Sequence, residues 1–191
     1  MVSVLALVGL AACGSGEQGK DRSRHWGKET TLERACGGIF DAASIRAVHG
    51  ADAETEKVYV FSYLEYSRAE LVKKLASGDD NETLFQCRLN DAEGRPLFTM
   101  SFRSSVGTGF PKGATADFRS LVGVLPSEVL DIDCGMPGKA PSLDGLLTAG
   151  PGVIDLPVRR AVLEHAGAKI VAAAHCPKHV VFPPVPVFVS G

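Results

Sequence analysis

LFQCRLNDAEGRPLFTMSF, residues 84–102, holds two apolar runs on either side of NDAEGR. Asn, Asp and Gly supply the backbone freedom and local hydrogen bonding of a turn, so the stretch predicts a β-hairpin. In its second run Phe98, Met100 and Phe102 alternate with Thr99, Ser101 and Arg103. Successive side chains of a strand point to opposite faces, so one face is apolar and the other polar. That is the pattern of an antiparallel sheet with one wet face, not of a parallel strand buried on both. Cys87 lies on the first strand.

Upstream, VYVFSYL (58–64) is β-branched and aromatic and predicts a strand. Tyr59, Phe61 and Tyr63 there could stack on a ligand, but core and cross-strand packing is the expected role. SRAELVKKLASG (67–78) predicts a helix with Ser67 and Glu70 as a capping box and Gly78 as its stop. GDDNET (78–83) follows as a solvated loop, since its carboxylates lack the spacing and glycine of an EF-hand. In residues 30–50, Thr30 and Glu33 form a second possible capping box. Asp41 can cap a further turn with Ile45 and Val48 on one face and Gly50 at its end.

Downstream, residues 105–117 are Gly-rich and irregular, and EVLDIDCGM (128–136) predicts a strand carrying Cys134. The turn-rich PGKAPSLDG (137–145) leads to a short strand, LLTA (146–149). Asp155 then caps a helix with Pro157 near its start, and Val158, Val162, Ala166 and Ile170 recur on one face. HVVFPPVPVFVSG (179–191) is held extended by its prolines and is at most an edge strand. The expected fold is therefore α+β: an antiparallel sheet with flanking helices in a single domain over 29–191. The net charge of −2 comes from interspersed charges, with no basic stripe to bind nucleic acid.

The start of the chain has a different character. MVSVLALVGLAA (1–12) has no charge and is too short to span a bilayer, which needs about 20 apolar residues. Its length matches the apolar region of a signal peptide. No Lys or Arg precedes it, which either a start codon farther upstream or a weak signal would explain. GSGEQGKDRSRHWGK (14–28) is polar and Gly-rich and predicts a flexible tether of about 20 Å reach, whose Trp26 could dock on the domain, the preferred role, or sit at the lipid interface. Between them, Leu10-Ala11-Ala12-Cys13 resembles the lipobox of bacterial lipoprotein precursors. That resemblance implies a signal peptide over 1–12 and a lipidated Cys13 opening a tether over 13–28. It also implies an address on the extracytoplasmic face of the cell membrane, held there by acyl chains. The alternative is a cytosolic chain whose first strand ends in cysteine.

Setting Cys13 aside, Cys36, Cys87, Cys134 and Cys176 make an even set, which in an exported chain predicts disulfides in one of three pairings. Sequential pairing, Cys36–Cys87 and Cys134–Cys176, is preferred because the two halves then look alike. The lipobox, ACGGIFDAASIRAVHG, QCRL, DIDCGMPG and RRAVLEHAGAKIVAAAHC together resemble the small lipoproteins of high-GC actinobacteria. This resemblance implies placement and fold; it implies no activity.

No local motif supplies a catalytic centre: there is no G-x-S-x-G elbow and no S-x-x-K. His175, Cys176 and His179 have donor types suited to zinc, but a disulfide at Cys176 and the helix-breaking Pro177 argue against it. Asp131 and Asp133 share a strand face as catalytic carboxylates might, yet a polar sheet face is the expected reading. His25, His49 and His165 are isolated in sequence. The expectation is a non-catalytic module of the cell envelope that binds a partner protein or a small molecule, with no metal or cofactor. The alternative is an envelope hydrolase with a dispersed active site.

Overall fold

A computed structural model describes residues 27–42, 44–46, 57–77, 81–107, 109–111, 113–121, 127–137, 140–150 and 154–184. Residues 1–26, with the signal segment, Cys13, His25 and Trp26, lie outside the described residues, as do Val48, His49, Gly50 and Gly78.

The hairpin over 84–102 forms the middle of a sheet. β3 (Thr83–Asn90) and β4 (Pro96–Ser105) pair antiparallel, with Cys87 opposite Met100 and Leu89 opposite Phe98. Asp91 closes their turn, its carboxylate accepting from the backbone N–H of Glu93 at 3.0 Å and of Arg95 at 2.8 Å. Five more strands complete the sheet: β1 (Lys28–Thr30), β2 (Val58–Glu65), β5 (Ala116–Leu121), β6 (Ser127–Asp133) and β7 (Ser142–Ala149). All seven are antiparallel in the order β1-β2-β3-β4-β7-β6-β5. Each half of the chain is thus a meander, and the two join where β7 pairs with β4.

Helical elements lie with the sheet among the described residues: a 3₁₀ segment (Leu32–Gly37), α1 (Arg68–Ser77) and α2 (Leu156–Ala174). The α1 capping box is present, with Ser67 N–H donating to Glu70 at 3.0 Å and Glu70 N–H to the Ser67 hydroxyl at 3.4 Å. At α2 the Asp155 carboxylate accepts from Val158 N–H at 3.1 Å. Asp41 caps as expected, accepting from Ser44 N–H at 2.6 Å. The Thr30–Glu33 box does not form. Thr30 is drawn into β1 opposite Val58, and the 3₁₀ segment starts after Thr31, whose side chain makes no cap bond. Edge pairing of the backbone outweighs a cap worth about 1 kcal/mol.

The core lies against one sheet face. Met100, Phe102, Leu130, Ile132, Leu143 and Leu147 meet Val158, Val162, Ala166 and Ile170 of α2, all of them buried. Burial of such side chains stabilises by about 1.5–3 kcal/mol each before chain entropy is counted. Gly145 belongs to this face: a Cβ there would come within 2.5 Å of the Phe102 ring, so the ring packs down where β7 has no side chain. The opposite face carries Thr99, Arg103, Asp131 and Asp144. It is less wet than the alternation suggests. Ser101 is buried, because the short serine sits between the larger Gln86 and Leu146 of the neighbouring strands.

Both cystines are sequential. Cys36–Cys87 ties the 3₁₀ segment to β3 (Cα–Cα 5.7 Å), and Cys134–Cys176 ties the end of β6 to the end of α2 (4.7 Å). Cys134 follows β6 instead of lying within it, and β7 begins at Ser142, inside the stretch expected to be turn. Residues 177–184 form no strand, and Phe182 packs over Gly167 of α2.

Candidate functional site

Cys36 bonds to β3 from a left-handed backbone (φ 54°), and Gly37 and Gly38 continue that conformation at φ 70° and 68°. Three successive left-handed residues are tolerated because two are glycines. The turn delivers Ile39 and Phe40 to the core and leaves a stretch of bare backbone beside the end of β2. Beneath it, between α1, α2 and the sheet, lies a cavity of about 70 Å³. Ile39, Leu71, Leu84, Phe85, Ala166 and Ile170 wall it. The space exists because α2 presents Ala166 and Ala173 where longer side chains would reach α1.

Two opposite charges stand at the mouth. The Lys169 ammonium donates to the Gly38 carbonyl. The Glu65 carboxylate accepts from the Tyr63 hydroxyl and lies 3.3 Å from where a Gly37 Cβ would be. Burial, reinforced by that carboxylate, pushes the Tyr63 phenol well above its ordinary pKa, so it stays a donor that orients Glu65. Among the described ion pairs none joins Lys169 to Glu65. Both charges therefore border the same glycine turn and keep polar valences for something else.

Two other regions carry polar side chains. A shallow cleft of about 450 Å³ at the end of β4 has Val106, Phe110, Met136 and Pro141 as its apolar part and an Asp133–Lys178 ion pair on its floor. On the open sheet face Asp131 and Asp144 stand directly opposite each other on β6 and β7. Arg119 grips Asp131 with two hydrogen bonds, one at 2.7 Å. Burial and then the charge of Asp131 push the Asp144 carboxyl up to about 6, against the opposing pull of Ser105 and Arg119. Asp131 is itself buried and held by Arg119, so the pair belongs to the packing of the sheet.

Asp131 and Asp133 are not brought together: one binds Arg119 and the other Lys178. Cys176 is committed to Cys134, and among the described residues no three His, Cys, Asp or Glu side chains could hold a metal ion. His165 lies on α2 beside Glu164, whose carboxyl is raised by burial, lowered by His165 and raised again by Asp41. Ser44 is three residues from Asp41, to which its backbone N–H donates, and its buried hydroxyl has no hydrogen-bond partner among the described residues.

The aromatic trio of β2 departs from expectation. A bulge between Val60 and Ser62 breaks the two-residue period. Tyr63 therefore packs edge-on against Phe85 at 6.0 Å, while Phe61, half exposed, lies under the Arg88 guanidinium at 4.7 Å. Cross-strand packing is present, core burial is not, and the trio forms no common patch. The cavity itself was not foreseen. Its sequence signals are the Gly37-Gly38 pair after a cysteine and the small residues of α2 flanking Lys169.

No family model, curated protein or solved structure matches this chain.

Proposed function

We propose that the chain is a membrane-anchored lipoprotein whose extracytoplasmic domain is a non-catalytic binding module for a small molecule of the cell envelope. Residues 1–12 are the signal peptide, Cys13 carries the lipid, 13–28 is the tether, and 29–191 is one α+β domain with α1 and α2 flanking the sheet. Two cystines support an oxidising address, since disulfides persist outside the cytosol. The observation that carries the binding role is the cavity: apolar walls, enclosed by three elements, with a few convergent polar groups at its mouth. Ligand sites have this layout. The hydrolase reading is the weaker one, because catalysis needs a nucleophile held by a base and an orienting partner. The buried Ser44 hydroxyl, beside Asp41, has no hydrogen-bond partner among the described residues.

Two measurements test the reading. Cells expressing wild type and Cys13→Ser are fractionated after labelling with a fatty-acid analogue, and the label and the membrane association are expected to vanish together in the variant. The full chain is then followed by hydrogen exchange with and without a small-molecule extract of the envelope. Slowed exchange at amides of α1, α2 and residues 37–39 is expected. Equal labelling of both chains would defeat the anchor, and unchanged exchange would defeat the binding role.

A further inference from the structure

We infer that the cavity takes a free aliphatic α-amino acid of the size of leucine, its side chain within the apolar walls, its carboxylate on Lys169 and its ammonium on Glu65. This deepens the binding-module reading and rests on it.

Size limits the apolar part of the ligand. A cavity of about 150 Å³ accepts benzene, and a single water needs about 10–15 Å³ on the same kind of measure. The roughly 70 Å³ here holds a branched group of about four carbons and is too small to enclose a long acyl chain. Ile39, Leu71, Leu84, Phe85 and Ile170 offer such a group no hydrogen bond, and the Tyr66 phenol that also lines the cavity is engaged with Lys74, so an apolar side chain fits these walls better than a polar one.

Charge limits the head. Lys169 and Glu65 border one left-handed glycine turn without pairing with each other. A simple fatty acid would set its carboxylate near Glu65, and a simple amine would set its ammonium near Lys169. A zwitterion satisfies both. Tyr63 holds the carboxylate of Glu65 in place, and Lys169 exchanges one exposed bond to the Gly38 carbonyl for a charge-assisted bond to the ligand. The absence of a Cβ at Gly37 keeps the mouth open, since a side chain there would run into Tyr63 and Glu65.

Calorimetry and amide-shift titrations of the full chain use L-leucine, glycine, 4-methylpentanoate and 3-methylbutylamine, which omit in turn nothing, the side chain, the ammonium and the carboxylate. Leucine is expected to bind at least about tenfold more tightly than each of the other three, the loss expected for one charged hydrogen bond or for the apolar group. Lys169→Met is expected to weaken leucine about tenfold and leave 3-methylbutylamine within about twofold. Glu65→Gln is expected to weaken leucine similarly while sparing 4-methylpentanoate. Both residues are exposed, so neither variant endangers folding. Equal binding of leucine and 4-methylpentanoate, indifference of leucine to both variants, or no saturable binding of leucine overturns the assignment. If leucine fails while the envelope extract still protects the cavity amides, this assignment falls alone. If neither protects them, the binding module falls with it.

Discussion

Replacing Asp144 by asparagine should stabilise the protein, and only above a mildly acidic pH. Asp144 faces Asp131 across β6 and β7, and its carboxyl is pushed from 3.8 to about 6 by burial first and by its neighbour's charge second. In the native protein it therefore keeps its proton between about pH 4 and 6, where the unfolded chain has already lost it. Stability contributed by this group is highest below about pH 4, declines as pH rises to about 6, and stays at the lower level beyond. At 1.36 kcal/mol per pH unit the displacement corresponds to about 3 kcal/mol, which solvent screening of a half-buried site reduces to about 1–2 kcal/mol. Asparagine is nearly isosteric, cannot ionise, and can donate to Asp131 while accepting from Ser105. Urea unfolding of wild type and Asp144→Asn at pH 4, 5, 6 and 7.5 reads the effect directly. With a slope of about 2 kcal/mol per molar, the variant's midpoint should lie about 0.5–1 M higher at pH 7.5 and coincide with wild type at pH 4. An offset that does not change with pH, or a variant less stable at pH 7.5, would refute the account of the pair.

Arg160→Ala should cost about 2–4 kcal/mol in the same assay. It leaves the Glu128 carboxylate buried under α2 with the Ser120 hydroxyl as its remaining partner, and Arg160 itself is partly exposed, which tempers the loss. The double variant Glu128→Leu, Arg160→Met should recover most of that loss, since an apolar pair leaves no uncompensated charge. Gly145→Ala should destabilise by about 1–3 kcal/mol and shift the ring resonances of Phe102, because its Cβ would come within 2.5 Å of that ring. Non-reducing peptide maps should show Cys36–Cys87 and Cys134–Cys176, closing loops of 51 and 42 residues. Loss of either bond, by paired Cys→Ser variants, should lower stability by about 4 kcal/mol on the loop-entropy estimate.

What could be read in the chain beforehand was local. The alternation of Phe98, Met100 and Phe102, the Ser67–Glu70 box and the Asp155 cap each declare themselves within a few residues, and each stands in the structure as expected. Elements held mainly by a neighbour were not legible. β5 is a six-residue edge strand paired along its length with β6, and β1 is three residues pulled extended by β2, so neither carries a strong signal of its own. The bulge at Phe61 reverses the faces of β2 without a glycine or proline to announce it. The polar groups of interest join distant positions. Asp131 meets Asp144 through strand pairing, and Lys169 meets Gly38 through packing of α2 against the start of the fold. Spacing along the sequence has no access to either.

The Cys36–Cys87 bond also decides how the molecule carries a pull. A load applied ahead of residue 27 first strips β1, which is held by three residue pairs at the sheet edge. The next anchor it reaches is Cys36, and there the force crosses sulfur to Cys87 in the middle of the sheet. Everything between those two positions is bypassed. Ile39, Glu65, Leu71, Leu84 and Phe85 all fall within that bypass. Most of the cavity wall thus lies off the load path, and a pull from the N-terminal side reaches the sheet at Cys87 without first drawing out the segment that carries it.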